Sequence, residues 1–304
     1  MASPCADVPG LSSPDTASGQ LQRIVLAFMR AKEKKGEIPT NIRFVFYELE
    51  QQGKVSKDNL NLDGTQSKRK PAQNLTDAIT HLREIGAIPW DWIIDESRSV
   101  TKWRCAPTVL DFLVDVVEDA RIDPWVGTKR PVILTEARTT GGVFSRGVAW
   151  EYLVPVAPTG GQCNGFLATQ VAPLLLGEDT RVLYVGDFDE AGDDIEANTR
   201  HVLERHTERT FTADTWERVA LTEAQTRMLK ARGVRPVRKK DKRYRDGNPH
   251  LAYEAEAIGQ GPIEELMRRR LEQLIPEPIE VFQEREIRER AKVLKLLNQG
   301  KRGN

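Results

Sequence analysis

Apolar positions recur at helical spacing through the first third of the chain. Residues 19–35 place Leu21, Ile24, Val25, Phe28 and Met29 on one face and close with Lys32, Lys34, Lys35 and Gly36. That pattern predicts an amphipathic helix with a basic last turn. A second, shorter helix is expected from its cap at Thr40 through Ile42, Val45, Phe46 and Leu49 to Gly53. After the polar stretch from Asn59 to Pro71, a third helix aligns Leu75, Ala78, Ile79, Leu82 and Ile85, with Gly86 as its stop. Ile88 to Ile94 and Thr101 to Cys105 alternate apolar and polar residues on either side of Asp95–Ser99, the pattern of a small hairpin. Three helices followed by a two-stranded wing predict a winged helix-turn-helix. A plain helical domain with an incidental hairpin would give the same periodicity.

The pattern then changes. Val109, Leu110, Phe112, Leu113, Val116 and Val117 predict a strongly apolar helix ending near Ala120, and Asp123-Pro124 marks a boundary. Beyond it, Pro131 to Thr135 and Arg181 to Val185 are short continuous apolar runs, as in strands buried on both faces of a parallel sheet. Each is followed by acidic residues and then by helical sequence, which predicts an α/β domain. Arg218 to Thr222 reads as a further strand, Ile263 to Leu274 as a helix, and Glu284 to Leu297 as a charged closing helix. The expected organisation is a disordered tail over 1–18, a helical DNA-binding unit over 19–122 and an α/β unit with C-terminal helices over 123–304.

Charge enters because Lys plus Arg equals Asp plus Glu at 45 each. Binding to phosphate therefore needs local positive charge. Lys68, Arg69 and Lys70, and the basic segment 238–245 with Lys239, Lys240 and Arg243, are the candidate DNA contacts. Such runs read equally well as solvated loops. The three cysteines form no CxxC pair, so neither a zinc site nor a disulfide framework is expected, which suits a reducing cytoplasm. No apolar run approaches the roughly 20 residues of a membrane span.

The candidate chemistry lies in Gly186-Asp187-Phe188-Asp189-Glu190-Ala191-Gly192-Asp193-Asp194-Ile195. Asp187 and Asp189 follow an expected buried strand at its carboxyl end, where open α/β sheets place their sites. Two neighbouring carboxylates there repel and desolvate each other unless a cation compensates them. Glu136 ends the other apolar strand. A three-carboxylate set suits magnesium, which prefers such oxygens and keeps water and phosphate as further ligands. A solvated acidic turn capping a helix is the plainer alternative. An EF-hand fails on the letters, with Ala191 and Asn198 at its fifth and twelfth positions.

Glu at one strand end, then Asp-x-Asp-x-x-Gly after a later strand, resembles the Toprim domain of topoisomerases, primases and related nucleases. The longer Asp187, Asp189, Gly192, Asp194, Ile195 spacing resembles the topoisomerase VI A-subunit and meiotic recombination transesterase family. In that family a winged-helix domain carries Arg-x-x-Tyr-Tyr ahead of the Toprim domain, a Rossmannoid parallel sheet. Here Arg43-Phe44-Val45-Phe46-Tyr47 stands at the matching place, with Phe46 departing from the first tyrosine. Tyr253-Glu254-Ala255-Glu256-Ala257 is similar to the family's acidic segment, and the length resembles its short stand-alone mini-A members.

The resemblance implies Tyr47 as nucleophile, Arg43 on the phosphate, and Mg²⁺ on Glu136, Asp187 and Asp189, with Asp194 as an outer acid or second-ion ligand. It further implies double-stranded DNA as substrate on the nucleoid, a homodimer whose sites combine two protomers, and a separate ATPase subunit as a possible partner. Taken alone, Tyr47 beside Leu49 reads as a core tyrosine. A Toprim hydrolase using water, and a DNA-binding protein without catalysis, are the rival readings.

Overall fold

The chain is described by a computed structural model over residues 8–56, 71–94, 103–161, 163–177, 179–236 and 252–302. The first stretch of helical periodicity folds into α1 (Ala17–Lys34), α2 (Ile42–Gln51) and α3 (Pro71–Glu84). Val25, Leu26 and Met29 of α1 meet Val45 and Leu49 of α2 and Leu75, Ile79 and Leu82 of α3 in one core. Burying each such side chain contributes about 1.5–3 kcal/mol, so the three apolar stripes suffice to join the helices. Thr16 caps α1 by accepting from the Gly19 N–H. Asn41, rather than the expected Thr40, caps α2 by accepting from the Phe44 N–H. Thr40 is buried, and its backbone bridges to Ile93.

Two further expectations change in this region. Residues 8–16 are not a free tail: Val8 and Leu11 pack on the three-helix core, and the Gln22 side chain holds Ser12. Their two apolar contacts outweigh the polar residues around them. Ile88 to Ile94 does not form a strand either. Trp90–Trp92 is a 3-10 turn, with the Arg83 guanidinium stacked 4.3 Å from the Trp90 ring, and Ile93 makes a single parallel bridge. Residues 95–102 of the expected hairpin lie outside the described residues, and 103–105 form no strand.

After α4 (Val109–Glu118) come β1 (Val132–Thr135), α5 (Arg138–Arg146), α6 (Val148–Glu151), β2 (Val156–Pro158), α7 (Asn164–Phe166) and β3 (Val182–Val185). The chain continues through α8 (Glu190–Thr207), β4 (Trp216–Ala220), α9 (Glu223–Ala231), α10 (Gln260–Glu272) and α11 (Ile279–Arg302). The four strands pair in parallel in the order β2-β1-β3-β4. This is the expected α/β architecture, with crossovers between successive strands, as parallel pairing demands.

Alternation along the strands splits their side chains between two cores. Ile133, Leu183 and Val185 face Val143, Phe144, Met267 and Leu271. Val132, Leu134 and Tyr184 face Leu167, Val171, Val202 and Leu203. Helix α2 joins both halves of the molecule: Phe44 enters the sheet core while Val45 and Leu49 face α1 and α3. Polar ties fix the same helix. Asn41 Nδ2 donates to Thr139 O at 2.9 Å, and Gln51 Nε2 donates to Ala257 O. Among the described residues no helix is long and apolar enough to cross a membrane.

Candidate functional site

From β1 the chain passes to β2 on one side of the sheet, while β3 lies on the other side of β1. The carboxyl ends of β1 and β3 therefore flank the point where strand order reverses, the crevice that open α/β sheets use for ligands. Glu136 follows β1 directly, and Asp187 follows β3 by two residues. The two strand ends are laced together. The Glu136 N–H donates to Val185 O at 2.8 Å, and Glu136 Oε2 accepts from the Asp187 N–H at 3.0 Å.

Asp189 is the N-cap of α8, its Oδ1 accepting from the Gly192 N–H at 2.7 Å. Its position is thus set by helix geometry. Asp187 Oδ1 accepts from the Ala255 N–H at 2.9 Å, which brings the segment before α10 onto the same strand end. Asp187 and Asp189 are both buried. A Cβ at Gly192 would stand 2.4 Å from Asp187 O and 3.3 Å from Glu136 Oε2. Glycine at the last position of Asp-x-Asp-x-x-Gly is therefore what lets the strand end, the helix start and Glu136 come together. Asp194 lies exposed just past the first turn of α8, whereas its neighbour Asp193 pairs with Arg218 Nη1 at 2.9 Å.

The N-terminal unit contributes Arg43. Its Nη2 lies 2.8 Å from Glu254 Oε2 and its Nε 3.2 Å from Glu256 Oε1. Burial alone would lower the guanidinium pKa, but Glu256, Glu254 and Asp187 outweigh it and hold the group above its ordinary value. Glu256 is fully buried and also accepts from Thr139 Oγ1 at 2.8 Å. Its Oε2 has no hydrogen-bond partner among the described residues. Of the two α2 candidates, then, Arg43 reaches the acidic end of the sheet. Tyr47, one turn further on, is 7% exposed, with its ring edge-on to Phe46 at 5.8 Å.

Sequence reasoning passed over Arg218 and Tyr184. Arg218 Nη1 meets Asp193 and Glu196, and its Nη2 donates to Asp187 O. The available signal is a cation interrupting the apolar run of β4. Tyr184 is fully buried, and its hydroxyl has no partner among the described residues. Burial first, and then Glu136 and Glu196, push its phenol well above the ordinary 10, so it stays neutral. Glu254 and Glu256 belong to a segment the resemblance singles out, but its spacing does not reveal their pairing with Arg43.

Three carboxylates supply only oxygen donors, the set that suits magnesium. One oxygen of each is held by a backbone N–H, an outer hydrogen bond of the kind that orients metal ligands. Among the described residues no group of three or more His, Cys, Asp or Glu is placed to hold a metal ion. Donor type fits magnesium, while a site for the ion requires Glu136, Asp187 and Asp189 to converge further. Lys68, Arg69, Lys70, Lys239, Lys240 and Arg243 lie outside the described residues. No family model, curated protein or solved structure matches this chain, so its site is read from residues and geometry alone.

Proposed function

We propose that the chain is a Mg²⁺-dependent DNA-cleaving transesterase of the topoisomerase VI A-subunit type, with an N-terminal winged-helix-like unit and a Toprim-like sheet. One observation carries the reading: Glu136 and Asp187 are laced together at the strand-order reversal, with Asp189 fixed beside them as a helix cap. Glu136, Asp187 and Asp189 would hold the ion, which when bound neutralises charge developing on the phosphate. Asp194 is an outer acid in this scheme.

Tyr47 Oη attacks phosphorus. The new bond joins the tyrosine oxygen to phosphorus, the bond from phosphorus to the 3′ oxygen breaks, the phenol proton passes to solvent, and the leaving 3′ oxygen takes up a proton from solvent. The products are a 5′-phosphotyrosyl link and a free 3′-hydroxyl. A phenol is a weak nucleophile at its ordinary pKa near 10, so it requires neighbouring positive charge. Arg43 supplies that charge to the phosphate oxygens, and Glu254 and Glu256 position its guanidinium. Cutting both strands of a duplex takes two sites, hence a homodimer in which the tyrosine and the acids of one site come from different protomers. A separate ATPase subunit is the further partner this reading admits.

The low exposure of Tyr47 favours a second reading, a Toprim-like hydrolase that uses water on the same acids. The test is supercoiled plasmid incubated with the purified protein and Mg²⁺, stopped with detergent, and run with and without protease. Protein-linked 5′ ends that vanish in Tyr47→Phe support the transesterase. Protein-free ends that persist in Tyr47→Phe support the hydrolase, and binding without cutting by any variant removes both.

A further inference from the structure

Arg130 stands just before β1, and Leu153 to Pro155 leads into β2. Both segments therefore lie at the amino ends of the paired strands, away from the acids at the carboxyl ends. A cavity of about 570 Å³ opens there, walled in part by Arg121, Arg130, Trp150, Leu153, Pro155 and Leu174. That volume falls in the range of small-molecule sites, about 300–1,000 Å³.

The wall holds features that folding alone does not call for. Leu153 has a φ of 54°, in the left-handed region. It follows the C-cap of α6, where the Leu153 N–H donates to Trp150 O at 3.4 Å and the Val154 N–H to Ala149 O at 2.9 Å. Glycine is the usual residue at that place, because a β-carbon is disfavoured in this conformation. The chain instead keeps a side chain there, and that side chain lines the cavity. Non-glycine residues held in such strain gather at ligand sites. The two arginines add a second, independent observation. Arg121 Nε meets Glu286 Oε2 at 3.0 Å, and Arg130 Nη2 meets Asp123 Oδ1 at 2.6 Å. Arg121 Nη1 and Arg130 Nε are buried without a hydrogen-bond partner among the described residues. Unpaired buried donors are unfavourable, and an ion or ligand that accepts from them removes that cost. The Arg121 guanidinium also stacks 4.5 Å from the Trp150 ring, yet the indole stays 61% exposed.

We infer that this cavity binds a small anion carried on a flat ring, either an aromatic carboxylate or a nucleoside monophosphate. The anionic group accepts from Arg121 and Arg130, and the ring lies against Trp150, Leu153 and Leu174. Charge sets the sign of the ligand, because the lining holds two guanidiniums against the single carboxylate of Asp123. An exposed indole beside a cation suits a flat ring rather than a bare ion. The site lies at the other end of the sheet from Glu136, Asp187 and Asp189, so it does not rest on the DNA-cleaving reading.

Calorimetry on the full chain tests it, with adenosine 5′-monophosphate and phenylacetate as probes. Adenosine and phenylacetamide lack the anion, and inorganic phosphate and acetate lack the ring. One probe or both should bind, each binding probe at least about tenfold tighter than its two controls. The probe that binds identifies the source of the anion. Arg130→Gln and Trp150→Ala should each weaken that binding about tenfold. Leu153→Gly separates ligand binding from folding. It should hold or raise the thermal unfolding midpoint, since glycine relieves the left-handed backbone, while weakening the probe about threefold or more. Failure of both probes to bind at millimolar concentration, controls that bind as tightly as the probes, or binding unchanged in Trp150→Ala and Leu153→Gly would each overturn the inference. No outcome depends on cleavage activity, so this inference and the transesterase reading fail separately.

Discussion

Replacing Arg43 by methionine tests how the N-terminal unit is coupled to the acidic end of the sheet. The guanidinium faces Glu254 at 2.8 Å and Glu256 at 3.2 Å, with Arg43 itself 44% exposed and Glu256 fully buried. Breaking a fully buried pair costs about 3–5 kcal/mol, because the remaining charge is stranded, while an exposed pair contributes about 0–1 kcal/mol. Discounting for the exposed arginine, Arg43→Met should cost about 2 kcal/mol, mostly through the stranded Glu256 carboxylate. In a Glu256→Gln background no buried charge is stranded, and the same change should cost about 1 kcal/mol less. Urea unfolding of the four chains near neutral pH completes the cycle. Mg²⁺ should recover part of the loss in Arg43→Met, since a cation on the neighbouring acids replaces the missing charge. A loss below about 0.5 kcal/mol, or an equal loss in both backgrounds, would refute the coupling.

Other consequences follow from the same geometry. Lys32 is 2% exposed, and its Nζ lies 2.9 Å from both Glu37 and Glu48. Lys32→Met should therefore cost about 3 kcal/mol in chemical denaturation, by leaving two acids without their cation. Burial pushes Glu264 up to about 7 from 4.5, against the opposing influence of Gln260, Arg268 and Lys32, while Glu37 adds to the rise. The folded state thus binds the extra proton between those two values, so stability falls as pH rises through that window, and the contribution is lost above about 7. Glu264→Gln should flatten this slope and raise stability by about 2 kcal/mol on the alkaline side, read from unfolding midpoints across pH. Gly192→Ala drives a Cβ against Asp187 O; it should cost about 1–3 kcal/mol and weaken divalent-ion binding measured by calorimetry.

The parallel sheet is legible in the sequence because β1 and β3 are short unbroken apolar runs, buried on both faces. The edge strand β2 is not. It has three residues, one of them Pro158, and too little pattern to separate it from a loop. Helix α4 is legible as a helix from its apolar letters, but they do not reveal that none of its residues is buried. The expected wing strand is lost to Trp90–Trp92, where tryptophans that alternate in sequence sit on a tight turn under Arg83. At the site, Glu136, Asp187, Asp189 and Gly192 are readable because strand ends and one local spacing bring them together. The pairing of Arg43 with Glu254 spans 211 residues and leaves no local pattern. Arg218 is hidden for a similar reason, because its partners lie on α8 and at the end of the neighbouring strand.

The central claim is that Glu136, Asp187 and Asp189 form a divalent-cation site at the strand-order reversal. Mn²⁺, an oxygen-seeking stand-in for Mg²⁺ with a paramagnetic signal, reads it most directly. Titration of the full chain followed by electron paramagnetic resonance should show Mn²⁺ binding that Mg²⁺ displaces and that Asp187→Asn and Glu136→Gln each abolish while folding is retained. Absence of binding by the wild-type chain, or binding unaffected by both substitutions, would contradict the account.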